Sequence, residues 1–265
     1  MSASRTGRIG TDSVSRAFDD HAPSYDRLVG ANPGYHDHLR LSAQRMGLPD
    51  NGRGLRLLDL GCGTGASTAA LLEVAPEAEI VAVDASAEML AEARRKTWPQ
   101  SVRFVHGDAQ DLAAAGVTGP FDGILAAYLL RNLPDADAAL RSFRDLLRPG
   151  APLAVHEYSV RDSARSRAVW TAVCWTIIIP LGRLRTGRAD LYRYLWRSVL
   201  RFDGVRTLAE RLRRAGFVDV RTQTMTGWQQ DVVHTVLGRR LPDPESAPLP
   251  LALSELETPP TGLAL

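Results

Sequence analysis

Apolar runs of five or six residues recur along the chain, each followed by a loop and then by a stretch whose apolar positions return every three or four residues. LRLLDL at 55–60 leads through a glycine loop into a helical run at 67–74, and EIVAV at 79–83, closed by Asp84, precedes a helix at 87–96. VRFV at 102–105 ends in His106-Gly107-Asp108. A fourth strand at 121–127 precedes a helix at 136–147, which Arg148-Pro149-Gly150 closes, and a fifth strand spans 152–156. Strands alternating with helices predict a parallel sheet covered on both faces, with ligands at the carboxyl ends of the strands. The alternation stops at 159–203, an arginine-rich insertion. A helix at 205–215, ended by Gly216, and an antiparallel pair at 217–222 and 231–237 then bring the sheet to seven strands.

Ahead of the first strand, residues 13–28 read as a broken helix anchored by Val14, Phe18, Tyr25 and Leu28 and interrupted at Pro23. A second helix at 35–46 runs into the turn Pro49-Asp50-Asn51-Gly52. The expected organisation is an N-terminal helical cap at 1–52, one domain at 53–240 with 159–203 as a lid or substrate insertion, and a disordered tail at 241–265. That tail carries four acids, six prolines and no base. Within the insertion, AVWTAVCWTIIIPLG at 168–182 is too short to span a bilayer, and reads as a core helix, a substrate wall or an interfacial element.

Composition narrows the class further. With 265 residues, 45% apolar and 23% charged, the chain has enough apolar material for one large core. Cys62 and Cys174 give neither a disulfide framework nor a zinc spacing, so no metal is expected. The first ten residues lack an apolar stretch, which reads as a cytoplasmic protein. The net charge of +2 is uneven: thirteen arginines face four acids between Arg161 and Arg214. Such a basic insertion is compatible with peripheral contact at the inner face of the cell membrane.

The candidate chemistry gathers at the strand ends. Gly61, Gly63 and Gly65 allow positive φ and let backbone N–H groups approach a ligand, with a helix N-terminus just beyond. The spacing also fits the dinucleotide fingerprint. Asp59, Asp84, Asp108, Tyr128 and Glu157 all stand where strands end. Asp84 suits a pair of ribose hydroxyls. Asp108 suits an adenine amino group, with Ala109 and Gln110 along the ring; helix capping is the rival reading for both acids. Ala85 and Ala126 complete the candidate cofactor set with Asp59, Gly61 and Gly63.

DLGCGTG at 59–65 resembles the S-adenosylmethionine loop of class I methyltransferases, where a carboxylate meets an amino group and no phosphate is bound. Beyond it, LLRNLPDADAALRSFRDLLRPGAPLAVHEYS at 129–159, DLYRYLWRSVLRF at 190–202, LAERLRRAGF at 208–217 and FDDHAPSYD at 18–26 resemble the UbiE/COQ5 family, which C-methylates the ring of ubiquinone and menaquinone precursors. The resemblance implies a Rossmann-like class I methyltransferase fold with a helical lid, S-adenosylmethionine as cofactor, and a demethylmenaquinol-like or related lipophilic aromatic as substrate. The chain departs from the family at Leu129, where glycine is common two residues before the Arg-Asn pair, and at Leu28-Val29-Gly30 in place of Met-Asn-Asp.

A ring carbon becomes nucleophilic when its neighbouring hydroxyl ionises, so Arg131 is expected to stabilise the oxyanion, and Asn132 to orient a water that takes the proton. A surface ion pair with Asp135 is the rival for Arg131. Tyr25 and Asp26 are expected to close over the site. Tyr128, Leu129, Glu157, Tyr192 and Tyr194 are the expected substrate contacts, and His156 is a further proton acceptor or a packed strand residue. The alternative is a methyltransferase of a soluble natural product on the same scaffold. No nucleic-acid partner is expected, since no Asn-Pro-Pro-[Tyr/Phe] motif or cysteine follows the fourth strand, and a monomer or a homodimer stays open.

Overall fold

The computed structural model describes Asp26, Gly30, Asn32 and residues 34–186 and 189–242. Most of the first 33 residues of the expected N-terminal cap, Tyr25 included, and the tail from residue 243 onward lie outside the described residues. Seven strands form one sheet: β1 (Arg56–Leu60), β2 (Glu79–Asp84), β3 (Val102–His106), β4 (Gly123–Ala127), β5 (Pro152–Tyr158), β6 (Phe217–Thr224) and β7 (Val233–Arg240). Their order is β3-β2-β1-β4-β5-β7-β6. The first five pair in parallel, and β7 runs antiparallel between β5 and β6.

The two central strands after β1 are buried throughout, every residue of β4 and of β5 included. Their continuous apolar runs are what two covered faces require. The helices are α1 (Tyr35–Arg45), α2 (Ala66–Val74), α3 (Ala87–Arg94), α4 (Ala136–Leu146), α5 (Ala164–Val173), α6 (Ile179–Thr186), α7 (Asp190–Arg201) and α8 (Val205–Arg214). The hairpin lies later than the sequence predicts. Gly227–Gln229 form a 3-10 turn and Asp231 takes φ 59, so β7 begins at Val233 and pairs with β5 as far as Pro152↔Arg239. Phe121 makes only an isolated bridge with Leu147, which shortens β4 to Gly123.

The insertion folds as a helical layer beside β5. The helix α5 continues through a π turn, Cys174–Ile178, into α6. Ile179 donates its N–H to Cys174 O five residues back, and Pro180 follows at once. A proline has no N–H and crowds the carbonyl four residues before it, so a widened turn ahead of Pro180 relieves both faults. Trp170, Cys174, Ile179 and Tyr192 are buried in this layer with Tyr158 and Val160 of the β5 end. Its other face is open: Trp175 is 48% exposed, Ile177 55% and Leu184 84%. The run at 168–182 is thus a two-faced element, and none of its residues lines the cavity described below.

Strand order reverses between β1 and β4, because the chain moves outward to β3 and then returns to the other side of β1. The crevice of a doubly wound sheet opens at such a point. The loops after β1 and after β4 flank it.

Candidate cofactor and substrate site

The loop after β1 sets the floor. Gly61, Gly63 and Gly65 all have positive φ, at 71, 54 and 92°. A Cβ on Gly63 would meet open space, so this glycine leaves the backbone exposed toward the cavity. A Cβ on Gly65 would stand 2.7 Å from the Trp98 ring, so packing and φ both demand glycine there. Gly63 N–H donates to Asp84 Oδ2 at 2.7 Å and Ser86 N–H to Asp84 Oδ1 at 2.8 Å, which fixes the carboxylate beside the loop. Ser86, and not Asp84, caps α3 by accepting from Met89 N–H. At the end of β3, Asp108 Oδ1 accepts from Gln110 N–H at 2.9 Å, a local turn, while the residue still lines the cavity.

The cavity is open to solvent and spans about 980 Å³ when its open mouth is counted. Gly61, Gly63, Asp84, Ala85, Asp108 and Ala109 line one part; Tyr128, Leu129, Arg131 and Asn132 line another. Five expected residues stand elsewhere, and Gln110 is exposed outside the lining. Asp59 is fully buried beneath the loop, where its Oδ2 accepts from the hydroxyls of Ser67 (2.8 Å) and Thr68 (2.6 Å) at the start of α2. Burial pushes its carboxyl up to about 7, against the two hydroxyl bonds and with the charge of Asp84 adding to the rise. Ala126 packs in the main core, and its neighbour Ala127 lines the cavity instead, because successive strand side chains face opposite ways.

Glu157 is the third correction. It is fully buried, does not line the cavity, and accepts a short hydrogen bond from Arg131 Nη1. The side chains of this pair are 5% and 0% exposed, so the rival surface pair of Arg131 with Asp135 does not form; Asp135 caps α4 by accepting from Ala138 N–H. Burial pushes Glu157 up, opposed by Arg131, while burial of Arg131 is outweighed by the Glu157 charge, which holds the guanidinium above its ordinary value. Among the described residues, Arg131 Nε has no hydrogen-bond partner. Tyr192 is the fourth: it is buried against Gly182, where a Cβ would stand 2.3 Å from its ring. Tyr194 also lies off the cavity lining, but its hydroxyl donates to Asn132 Oδ1 at 3.2 Å, and Asn132 Nδ2 donates to Tyr128 O at 3.0 Å.

Tyr128 adopts φ 55, a strained conformation for an aromatic residue. Its ring stacks on Tyr35 (5.8 Å between centroids) and on Tyr158 (4.9 Å), and Tyr158 meets Trp170 at 4.6 Å. An aromatic ladder therefore joins the cavity wall to the helical layer. The Arg131 guanidinium lies 5.7 Å from the centres of both the Tyr128 and Tyr158 rings. Leu129 crowds Gly61, its Cδ1 3.1 Å from where a Cβ on that glycine would stand. His156 is buried between Tyr128 OH (2.9 Å) and Ser42 Oγ (2.8 Å), and burial first, then His38, Arg45 and His234, bring it down to about 3, so it is neutral.

The sequence reading missed Tyr35 and Leu39, which reach the cavity from α1. Their i, i+4 spacing puts both on one helix face, and an aromatic-aliphatic pair there is the signal. At the mouth, Asp26 accepts from the Thr64 hydroxyl and pairs with Lys96 at 2.6 Å, while Lys96 Nζ donates to Thr64 O at 2.7 Å.

The residues fit S-adenosylmethionine. Carboxylates of Asp84 and Asp108 stand at the ends of β2 and β3, and the backbone at Gly63 is open. Arg131 is the one arginine lining the cavity among the described residues, no lysine joins it, and its charge is taken up by Glu157; a pyrophosphate would find little to hold it.

Comparison with known proteins agrees with this chemistry. The model of the ubiE/COQ5 methyltransferase family matches residues 7–236. The ubiquinone/menaquinone biosynthesis C-methyltransferase UbiE of Bradyrhizobium diazoefficiens is 34% identical over 184 residues, which cover 68% of this chain and 72% of that protein. The demethylmenaquinone methyltransferase of Staphylococcus aureus is 31% identical over 225 residues, covering 83% and 91%. In three dimensions, phosphoethanolamine N-methyltransferase 2 of Haemonchus contortus, solved with S-adenosyl-L-methionine, superposes with a TM-score of 0.62 at 17% identity over 89% of this chain and 61% of that one. The chain belongs to the ubiE/COQ5 methyltransferase family and is an S-adenosylmethionine-dependent methyltransferase.

Proposed function

We propose that the protein methylates a ring carbon of a lipophilic quinol of the demethylmenaquinol type. The observation that carries this reading is the apolar and aromatic wall of Tyr35, Leu39, Tyr128 and Leu129 in the same cavity as the Asp84 carboxylate and the open Gly63 backbone. The relatives in Bradyrhizobium diazoefficiens and Staphylococcus aureus, both named as quinone methyltransferases, support it. S-adenosylmethionine supplies a methyl group on a sulfonium sulfur.

The ring carbon attacks well once its neighbouring oxygen carries negative charge. Arg131 lines the cavity, is charged throughout the ordinary pH range and cannot take that proton, but its guanidinium charge favours the oxyanion. Pairing with Glu157 keeps the guanidinium in place and weakens its field on the cofactor's own positive charge. Asn132 acts as a tie in this reading, since its amide holds the Tyr128 carbonyl and the Tyr194 hydroxyl and so links α7 to the loop after β4. Asp84 holds the cofactor ribose, and Leu129 narrows the space that the family leaves open with glycine.

In the same proposal the helical layer at 159–203 is the lid and the membrane-docking element. Trp175, Ile177 and Leu184 are exposed on it, among the exposed arginines Arg165, Arg167, Arg183, Arg193 and Arg197. Aromatic and aliphatic groups ringed by arginine suit an anionic lipid surface that holds a prenylated substrate. No helix among the described residues is long and apolar enough to cross a membrane.

The test is a single-turnover assay with methyl-labelled S-adenosylmethionine and reduced demethylmenaquinone, delivered in vesicles of anionic or of zwitterionic phospholipid. The proposal expects a methylated quinol, formed several-fold faster from anionic vesicles at low salt. Methylation of soluble phenols with none of the quinol would overturn the substrate. Equal rates and no sedimentation with either vesicle would overturn the docking role.

A further inference from the structure

Behind Tyr128 runs a chain of buried hydrogen bonds that the methyl-transfer reading does not use. Tyr128 OH lies 2.9 Å from His156 Nε2, His156 Nδ1 2.8 Å from Ser42 Oγ, and Ser42 Oγ 2.7 Å from Thr235 Oγ1. Arg45 Nη1 donates to Thr235 Oγ1 at 2.7 Å. Four separate elements meet here, α1, the loop after β4, β5 and β7, and Ser42, His156 and Thr235 are buried.

The direction of the chain follows from its last member. An arginine has donors and no acceptor, so Thr235 receives a hydrogen from Arg45 and must place its own. Its other partner is Ser42 Oγ, which in turn meets His156 Nδ1. If each hydroxyl hands its hydrogen onward, Nδ1 is an acceptor and the neutral imidazole carries its proton on Nε2, which donates to the Tyr128 oxygen. If the chain ran the opposite way, the Thr235 hydrogen would be left inside the protein without an acceptor, a loss worth about tenfold or more in population. The forward direction leaves the surplus hydrogen on Tyr128, the half-buried member that lines the cavity. The depressed basicity of His156 agrees with a neutral ring.

We propose that Tyr128 is a specificity-determining hydrogen-bond donor, set by Arg45, Thr235, Ser42 and His156 to offer its phenolic O–H to an oxygen on the ring of the bound substrate. The ligand class is an aromatic ring bearing a hydroxyl or oxo group, and this inference rests on the aromatic-substrate reading above. The stacked neighbours Tyr35 and Tyr158 hold the ring of Tyr128 in plane, so the hydroxyl has little freedom to turn away. Ser42 and His156 are positioning residues in this account, since they act through Tyr128.

Two measurements test it without turnover. The nitrogen-15 shifts of His156 in the wild-type protein are expected to show the Nε2–H form, and Ser42→Ala, which removes the donor to Nδ1, is expected to shift the balance toward Nδ1–H. Calorimetric binding of 1,4-naphthoquinone, which has two acceptor oxygens, is expected to weaken by about tenfold or more in Tyr128→Phe, while naphthalene binds both proteins alike and S-adenosylmethionine affinity does not move. A wild-type His156 protonated on Nδ1, or equal naphthoquinone affinity in folded wild-type and Tyr128→Phe proteins, would overturn the proposal. The parent reading fails separately, by an absence of methylated quinol in the labelled-cofactor assay while the tautomer and binding differences persist.

Discussion

Truncating Arg131 strands the Glu157 carboxylate in a fully buried position, so loss of activity in Arg131→Ala would mix chemistry with folding. Removing one partner of such a pair costs about 3–5 kcal/mol. Chemical denaturation of Arg131→Met is expected to show a loss of that order, and Arg131→Met with Glu157→Gln is expected to recover most of it without recovering methyl transfer. Recovery of turnover in the double variant would remove Arg131 from the chemistry. His156 gives a pH signature. Its ordinary value of 6.5 falls to about 3 on folding, so the unfolded chain binds the proton first and stability drops as pH falls below 6.5. Between pH 6.5 and 5 this amounts to on the order of 2 kcal/mol. Asp59 works the other way, losing stability as pH rises from 3.8 toward about 7. His156→Leu isolates the histidine: Asp59 offsets it in the wild type over this window, so the variant's stability at pH 5 relative to pH 6.5 should rise by on the order of 2 kcal/mol compared with the wild type, and an unchanged difference would contradict the buried neutral ring. The loop glycines and strand-end acids were legible in the sequence because their chemistry is local. Where Asp59 points was not, since a strand end does not say whether a carboxylate faces the cavity or the helix below; Ser67 and Thr68, eight and nine residues on, were the available hint.

At the scale of elements, the five parallel strands could be read from apolar runs because both faces of the sheet are covered. Ala126 and Ala127 show the limit of that reading, since strand parity decides which of two identical side chains meets the cavity. Tyr192 and Tyr194 show the same for a helix: about 200° separates residues two apart, which sends one into the layer and the other toward Asn132. The π turn before Pro180 required knowing that α5 and α6 form one continuous rod. That rod packs on α7 through Gly182, where a Cβ would fall 2.3 Å from the Tyr192 ring. Gly182→Ala is expected to cost about 1–3 kcal/mol by overpacking and to raise hydrogen exchange across α5, α6 and α7 while the sheet amides stay protected. Uniform protection in both parts would mean that the helical layer does not depend on that contact.

For the whole molecule, strand reversal between β1 and β4 places the glycine loop against a cavity wall built from two separate stretches, α1 and the loop after β4. An aromatic ladder, Tyr35, Tyr128, Tyr158 and Trp170, and the Asn132–Tyr194 bond connect that wall to the helical layer carrying the exposed apolar face. The architecture was foreseeable from element order; the convergence of these side chains was not, because residues as far apart as Ser42 and Thr235 meet only after the sheet closes. The central claim is transfer of a methyl group to a ring carbon. The measurement that tests it most directly is carbon-13 NMR of the product formed from carbon-13-methyl S-adenosylmethionine and reduced demethylmenaquinone. The account predicts a labelled methyl signal in the range of a methyl bonded to an aromatic carbon, whereas a signal in the methoxy range, from a methyl bonded to oxygen, would contradict it.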